Sequence, residues 1–264
     1  MSALVVHVEG VGVWSPTLAG FDALRARLAG APAGAPMAKP PAQRLPATER
    51  RRASASVLLA VEVAAQAVAM SGRDAATLAC VFASAYGDLA ITDYLCATLA
   101  RAPGELSPTR FHHSVHNAPA GYWTIATGCH APSSAVGAGH ASVGAGLLEA
   151  ATLACAEQRP VLLVCSDIAG RGPLGDSVGC RHDAGAALVL SPQAGPPSVA
   201  RLTLMLANGS CTPPSPPIDC TGGMLDNPSA AALSLLASLA SGGGELMLPA
   251  ADQLALHIRM EPSA

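Results

Sequence analysis

The chain is short of aromatic residues: two Trp, three Tyr and three Phe make up 3% of 264 residues. A core of ordinary volume must therefore be built from Ala, Val and Leu, whose small side chains suit tight packing of helices on a sheet. Charge is sparse too, at 12%, and a formal net charge of −3 lacks the basic surplus of a nucleic-acid binder. The eight Cys form no Cys-x-x-Cys pair, and Cys80, Cys155 and Cys165 lie in apolar segments, which argues against zinc and against a disulfide framework. Met-Ser-Ala-Leu-Val-Val-His-Val-Glu at the N-terminus has no basic run and carries Glu9 where a signal peptide is apolar, so the cytoplasm is the expected location. No apolar run has the length of a membrane span. Gly10-x-Gly12 lacks the third glycine and the acidic residue of a dinucleotide site, so no cofactor is expected.

What the chain does contain is organised around Pro132–Ala151. Pro132-Ser-Ser-Ala-Val reads as a buried strand; a Gly-rich corner follows, and Ala/Leu-rich sequence of helical character continues to about Glu157. A second buried strand, Pro160–Ser166, comes next. Strand, tight turn, helix and strand make a crossover unit. Its corner faces a helix N-terminus, where backbone N–H groups and the helix dipole converge and where nucleophiles are often built. The residue at that corner is His140.

Around this unit the pattern alternates strand and helix. Leu4–Trp14 reads as a strand interrupted by Gly10 and Gly12, Phe21–Leu28 as a short helix, and Ala31–Ala47 as an Ala/Pro-rich loop. Arg50, Arg51 and Arg52 precede a helix over Ala53–Met70, a position unfavourable to the dipole, which marks either a solvated basic corner or a contact for an acidic partner. Thr77–Ala85 is a strand, Asp88–Arg101 a helix, Leu106–Gly121 a loop and Tyr122–Thr127 a short helix. Downstream, Gly170–Arg181 reads as a loop, Ala186–Ser191 and Val199–Ala207 as a hairpin, and Gly209–Pro228 as irregular. A helix over Ser229–Ala240 and a strand over Gln253–Met260 end the chain. The alternation indicates an α/β fold with a mixed sheet.

Two other chemistries are open at this level. His140-Ala-Ser142-Val-Gly144 is one Gly short of a G-x-S-x-G elbow, so Ser142 could serve a hydrolase, with Asp167 or Asp183 as acid and His257 as base. His112, His113 and His116 have a spacing that could hold a metal, but no Glu of a metalloprotease motif accompanies them, and a polar interface is the better reading.

Several segments together resemble the β-ketoacyl-ACP synthases of the thiolase-like superfamily. Val6-His-Val-Glu-Gly-Val-Gly-Val-Trp-Ser-Pro16 is similar to their first strand, and Ser107-Pro-Thr-Arg-Phe-His-His-Ser-Val-His-Asn117-Ala-Pro-Ala-Gly121 to their S-P…N-x-x-A-G loop and helix. Pro132-Ser133 resembles the strand leading to the nucleophile, and Asp183–Leu190 a G-x-G-A-x-x-L-V-L strand. The likeness covers most of the first two-thirds of the chain. It implies a thiolase-like mixed sheet with packed helices, corresponding mainly to the N-terminal half of a ketosynthase. A single domain over 1–264 is expected, with a synthase-like core at 1–208 and a divergent segment at 209–264.

In such an enzyme a Cys occupies the corner, and counting from both flanks places His140 there. Cys129, in Ala-Thr-Gly-Cys129-His, superficially imitates the nucleophile's surroundings and leaves a degenerate acyltransferase as a further alternative. The synthases' two further His contexts are absent, and the chain stops where their second half gets under way, so no independent condensing activity is expected. The resemblance is closest to chain-length-factor subunits of type II aryl polyene or pigment systems, which accompany a complete synthase. It implies a heterodimer with that synthase and contact with an acyl carrier protein, for which Arg50, Arg51 and Arg52 are candidates. Arg110, Phe111, His112, His113, His116, Asn117, Tyr122, Trp123, Ser133, Ser134 and Val136 would line the dimer seam or the acyl tunnel. For Phe111, Tyr122 and Trp123, ordinary core packing is the equal alternative.

Overall fold

The first strand, β1 (Leu4–Ser15), runs unbroken through Gly10 and Gly12 in this computed structural model, which describes residues 3–212 and 226–263. The glycines do not interrupt the strand; they clear space beside it. A β-carbon at Gly10 would lie 2.0 Å from the Ala67 carbonyl oxygen, and one at Gly12 2.0 Å from that of Val63. Only glycine lets the helix carrying those carbonyls lie so close. That helix also covers the strand's backbone, since Val13 N–H donates to Gln66 Oε1 at 2.9 Å and Val11 N–H meets Met70 Sδ at 3.3 Å.

In chain order, β2 (Leu18–Ala19), α1 (Phe21–Leu28), α2 (Ala47–Arg52) and α3 (Ala55–Ser71) follow β1. Next are β3 (Ala79–Ala83), α4 (Leu89–Arg101), α5 (Pro108–His113), α6 (Ala118–Thr127), β4 (Ser133–Val136) and α7 (Ser142–Glu157). Then come β5 (Val161–Asp167), α8 (Gly172–Val178), β6 (Ala184–Ser191), β7 (Ala200–Asn208), α9 (Ala231–Ala240), β8 (Gly244–Ala251) and β9 (Leu254–Pro262). The strands form one mixed sheet in the order β4-β3-β5-β6-β1-β7-β9-β8, with β2 paired to β1. β3, β4 and β5 are mutually parallel, as the crossover unit requires, and the remaining pairs are antiparallel. The expected mixed α/β sheet is thus observed.

Each face of the sheet is covered. On one, α7 and α9 pack Val143, Leu147, Leu235 and Leu236 against Val6, Val8, Leu163 and Leu188. On the other, α3 and α6 pack Val57, Leu59, Val63 and Trp123 against Phe82, Leu162, Val164 and Val189. The core is aliphatic and small, and Gly146 in α7 shows why: a β-carbon there would press to 2.8 Å from that of Ala83.

Several local expectations are corrected. Arg50–Arg52 do precede the long helix α3, which starts at Ala55 rather than Ala53. They also end a short helix of their own, α2, the favourable end for cations, and Ala53 in extended conformation separates the two. Leu106–Gly121 is not loop throughout but contains α5 and the start of α6, each with Pro in its first turn. Gly170–Arg181 likewise holds α8. β6 and β7 are not a hairpin: both pair with β1, on opposite sides. β4 is not a buried strand but the sheet edge, with Ser133 and Ala135 exposed. β8 has no counterpart in the sequence reading, and of Gly209–Pro228, residues 213–225 lie outside the described part. Among the described residues, no helix is long and apolar enough to cross a membrane.

Candidate functional site

The parallel strands β3, β4 and β5 end together, and the corner is built from the turns that leave them. After β4, Gly137 and Gly139 lead into a single 3-10 turn, Gly139–Ala141, that carries His140 to the head of α7. Gly139 adopts a φ of 53°, a left-handed conformation that disfavours any side chain. Ser142 closes this turn: its hydroxyl donates to the Gly139 carbonyl at 2.7 Å and accepts from Ala138 N–H at 2.9 Å. The hydroxyl is buried and bound to backbone at both of its functions.

The partners drafted for Ser142 lie elsewhere. Asp183 accepts from Ala169 N–H at 2.7 Å, and His257 donates to Glu245 at 3.2 Å on strands β9 and β8. Asp167 is close to the corner but serves different neighbours. Its Oδ1 accepts from the Ser84 hydroxyl at 2.7 Å and from the N–H groups of Ala85 and Tyr86 at 2.8 and 3.1 Å, while Oδ2 accepts from Ser229 at 2.6 Å. Burial pushes this carboxyl above the usual range, against the opposing pull of those four donors. Asn227 adds bonds to the carbonyls of Asp167 and His182 at 2.8 and 2.6 Å, tying the segment after residue 226 to the same point.

What Asp167 holds is the turn that bears Tyr86. The Tyr86 hydroxyl and His140 Nε2 share a hydrogen bond of 3.2 Å. His116 completes the group: its Nε2 donates to the Ser84 carbonyl at 3.1 Å, with its ring against Gly137. Tyr86, Asn227 and Ser229 were not foreseen from the sequence. The one available signal was Asp167 itself, an acid ending the apolar run Val161–Ser166.

Cys129 is not at the corner. It follows Gly128, the left-handed cap of α6, and its thiol donates to the Leu78 carbonyl at 3.2 Å, as does that of Cys80 at 3.3 Å. Leu78 precedes β3 and the corner follows it, so at about 3.3 Å per residue the strand keeps the two roughly 20 Å apart. Burial pushes the neighbouring Cys80 thiol up to about 12, far from the thiolate a nucleophile needs.

The residues expected at a seam lie on α5, α6 and β4, and only some of them reach the surface. Phe111 is 62% exposed on α5 and Ile125 85% exposed on α6. Arg110 stacks on Tyr94, its guanidinium carbon 3.9 Å from the ring centre. His113 is buried and shares a 2.8 Å bond with the Tyr122 hydroxyl; burial holds the imidazole below its usual range and the phenol above its own. Trp123 lies wholly within the core, whereas Ser133 is exposed and Ser134 and Val136 are half-buried. Asn117 stands at the head of α6 without a capping bond, and His112, Asn117, Tyr122 and Ile125 line a groove of about 490 Å3 with Leu45 and Glu49. His112 packs against His113, ring centres 5.6 Å apart, while His113 and His116 bond to Tyr122 and to the Ser84 carbonyl, and no metal-ligating group of His, Cys, Asp and Glu is found among the described residues.

No curated protein matches the chain. Among solved structures, a chain of the ketosynthase ApeO in complex with its chain length factor ApeC from Xenorhabdus doucetiae aligns with a TM-score of 0.74 at 24% identity, covering 97% of this chain and 99% of the matched one. The AntDE:AntF complex, a type II polyketide synthase acyl-carrier protein with its ketosynthase bound to the hexaketide, gives 0.74 at 11% identity with the same coverage. The ishigamide ketosynthase/chain length factor gives 0.69 at 14% over 97% of this chain and 99% of its own. These likenesses are of fold. The family of the β-ketoacyl synthase N-terminal domain matches residues 26–202, well over half of the sequence, and the chain belongs to that family.

Proposed function

We propose that this chain is a chain-length-factor-type subunit that forms no carbon–carbon bond itself, pairs with a complete β-ketoacyl synthase and shapes that partner's acyl tunnel. The observation that carries this reading is an imidazole, His140, at the corner between β4 and α7. Condensation begins when a thiolate attacks an acyl thioester: a new C–S bond forms and the carrier's thiol leaves. The turn between β4 and α7 carries no thiol, and Cys129 lies at the other end of β3. The Cys180 thiol near Asp167 and Tyr86 is hydrogen-bonded to the Ile168 carbonyl and pushed by burial up to about 12.

The edge strand supports the pairing. Cys80 N–H bonds to Pro132 and Ser84 N–H to the Val136 carbonyl, so in the alternating ladder the backbone groups of Ser133, Ala135 and Gly137 face outward. An open edge beside exposed Phe111, Val115 and Ile125 supports pairing with another chain. The groove along α5 and α6 on the same side would continue the partner's tunnel, with Tyr122 and His112 in its lining and the exposed Phe111 outside it as length-setting contacts. Arg50, Arg51 and Arg52, at the rim of that groove through Glu49 and Pro46, would meet an acyl carrier protein. The product class would be a type II polyketide, an aryl polyene or a fatty-acid-like chain.

The test is co-expression with a complete synthase from the same genomic neighbourhood. A stable heterodimer is expected, whose condensing activity survives His140→Ala in this chain and is lost on replacing the partner's nucleophilic Cys. Elongation by this chain alone, or no association with the synthase, overturns the reading.

A further inference from the structure

The outer face of strands β7, β9 and β8 holds an imidazole between two thioethers. Met205 lies directly opposite His257 on one side, and Met247 directly opposite His257 on the other. Opposed residues of adjacent strands share a face, so the three side chains form a row across the sheet. The residues alternating with them, such as Leu204, Leu248 and Ile258, point into the core. Met205 and Met247 are 39% and 38% exposed, an unusual placement for a residue type mostly found inside. The row lies at the opposite end of the sheet from β4 and takes no part in the corner.

We propose that Met205, His257 and Met247 bind one soft monovalent cation of the Cu(I) class. Thioether sulfur is a soft donor that selects such ions over zinc or magnesium, and imidazole completes the set. His257 is oriented as ligating histidines are: its Nε2 donates to Glu245 Oε2 at 3.2 Å, which leaves the Nδ1 lone pair free for a metal. Strands spaced about 4.8 Å apart put the two Met backbones roughly 10 Å from each other with the ring between them. Methionine, unbranched and with three rotatable bonds, can fold over the ring from both sides. The next row carries Arg259 opposite Glu245, and Arg259 is paired with Glu261 at 3.5 Å, so no second carboxylate is available to favour a hard divalent ion.

The full chain is labelled with 13C at its methionine methyls, its accessible thiols are blocked with iodoacetamide because eight Cys would compete, and Ag(I) is added as a redox-inert stand-in for Cu(I). Of seven Met signals, those of Met205 and Met247 are expected to shift and saturate at one equivalent, while Zn(II) moves neither. Met205→Leu and Met247→Leu, which keep volume at half-exposed sites, should each weaken binding at least tenfold, and His257→Gln likewise. A second measurement, competition for Cu(I) against a chromogenic chelator, should show one site fewer in the Met205→Leu/Met247→Leu double variant than in the parent. The proposal is overturned if Ag(I) leaves both methyls unmoved, or if the double variant binds as the parent does.

Discussion

Tyr86 and His140 meet edge to face, ring centres 6.1 Å apart and hydroxyl 3.2 Å from Nε2, and so join the turn after β3 to the turn before α7. Beneath them Asp167 binds the backbone of the Tyr86 turn and, through Ser229, the segment that leads into α9. One buried carboxylate thereby fixes pieces of chain that are far apart in sequence.

Asp167→Asn should be among the most damaging single changes. All four groups facing the carboxylate are donors, and an amide would turn its own N–H against one of them. A loss of about 2–4 kcal/mol is expected, against about 1–2 kcal/mol for Ser229→Ala, read as denaturant midpoints at constant slope.

The same residue sets a pH dependence with a definite sign. Burial raises its pKa in the fold above the unfolded value, so the native state holds the proton more tightly. Its contribution to stability is then greatest below the unfolded value and declines as pH rises through the folded one. Unfolding curves collected upward from about pH 4 should show this decline in the parent chain and not in Asp167→Asn. A parent whose stability climbs through that window relative to Asp167→Asn would contradict the assignment.

Glycine substitutions should separate packing from propensity. Gly10→Ala and Gly12→Ala put a methyl into α3 carbonyls 2.0 Å away and should prevent normal folding or remove about 3 kcal/mol or more. Gly121→Ala, in α6 with open space around it, should stabilise by about 0.5–1 kcal/mol. Thermal melts of the three variants decide the matter.

Much of this was legible in the sequence, and the reasons differ by element. α1, α7 and β5 were placed to within a residue or two because apolar pattern and flanking Gly or Pro agree there. The place of His140 in a turn between strand and helix is legible from the Gly-rich break between Val136 and the Ala/Leu-rich run. β4 was misjudged because small residues such as Ser133 and Ala135 suit a buried strand and an edge equally, and only the sheet order separates the two. The role of Gly10 and Gly12 was hidden because a glycine tolerated in a strand and a glycine demanded by a helix look alike. Tyr86 and Ser229 could not be foreseen, since each reaches the corner through a partner remote in the chain.

His140→Cys tests whether the corner lacks only its thiol. A Cys at the head of α7 would lie where helix N–H groups favour a thiolate, so labelling by iodoacetamide and transfer of an acyl group from an acyl thioester are expected. Carbon–carbon bond formation is not, because the two His contexts that a synthase uses for decarboxylation are missing from the chain. Intact-mass measurement reads the acylation and a condensation assay reads the rest; a condensing variant would show the missing contexts to be unnecessary.

Phe111→Asp and Ile125→Asp address the seam directly. Both side chains are large, apolar and mostly exposed in the isolated chain, so replacing them should not disturb its fold. In a heterodimer across β4 and α6 each new carboxylate would be buried against apolar surface without a partner, at a cost of several kcal/mol. Association with the synthase should therefore weaken by roughly a hundredfold or more in the double variant, since every 1.4 kcal/mol is a factor of ten. The free subunit should meanwhile become less prone to aggregate, because the exposed patch is broken by charge. Asp22→Asn, on a fully exposed side chain of α1 across the sheet, serves as the control and should change neither property. If the double variant binds the synthase as tightly as the parent, the partner sits on another face, and the groove between α2, α5 and α6 loses its claim to be part of the tunnel.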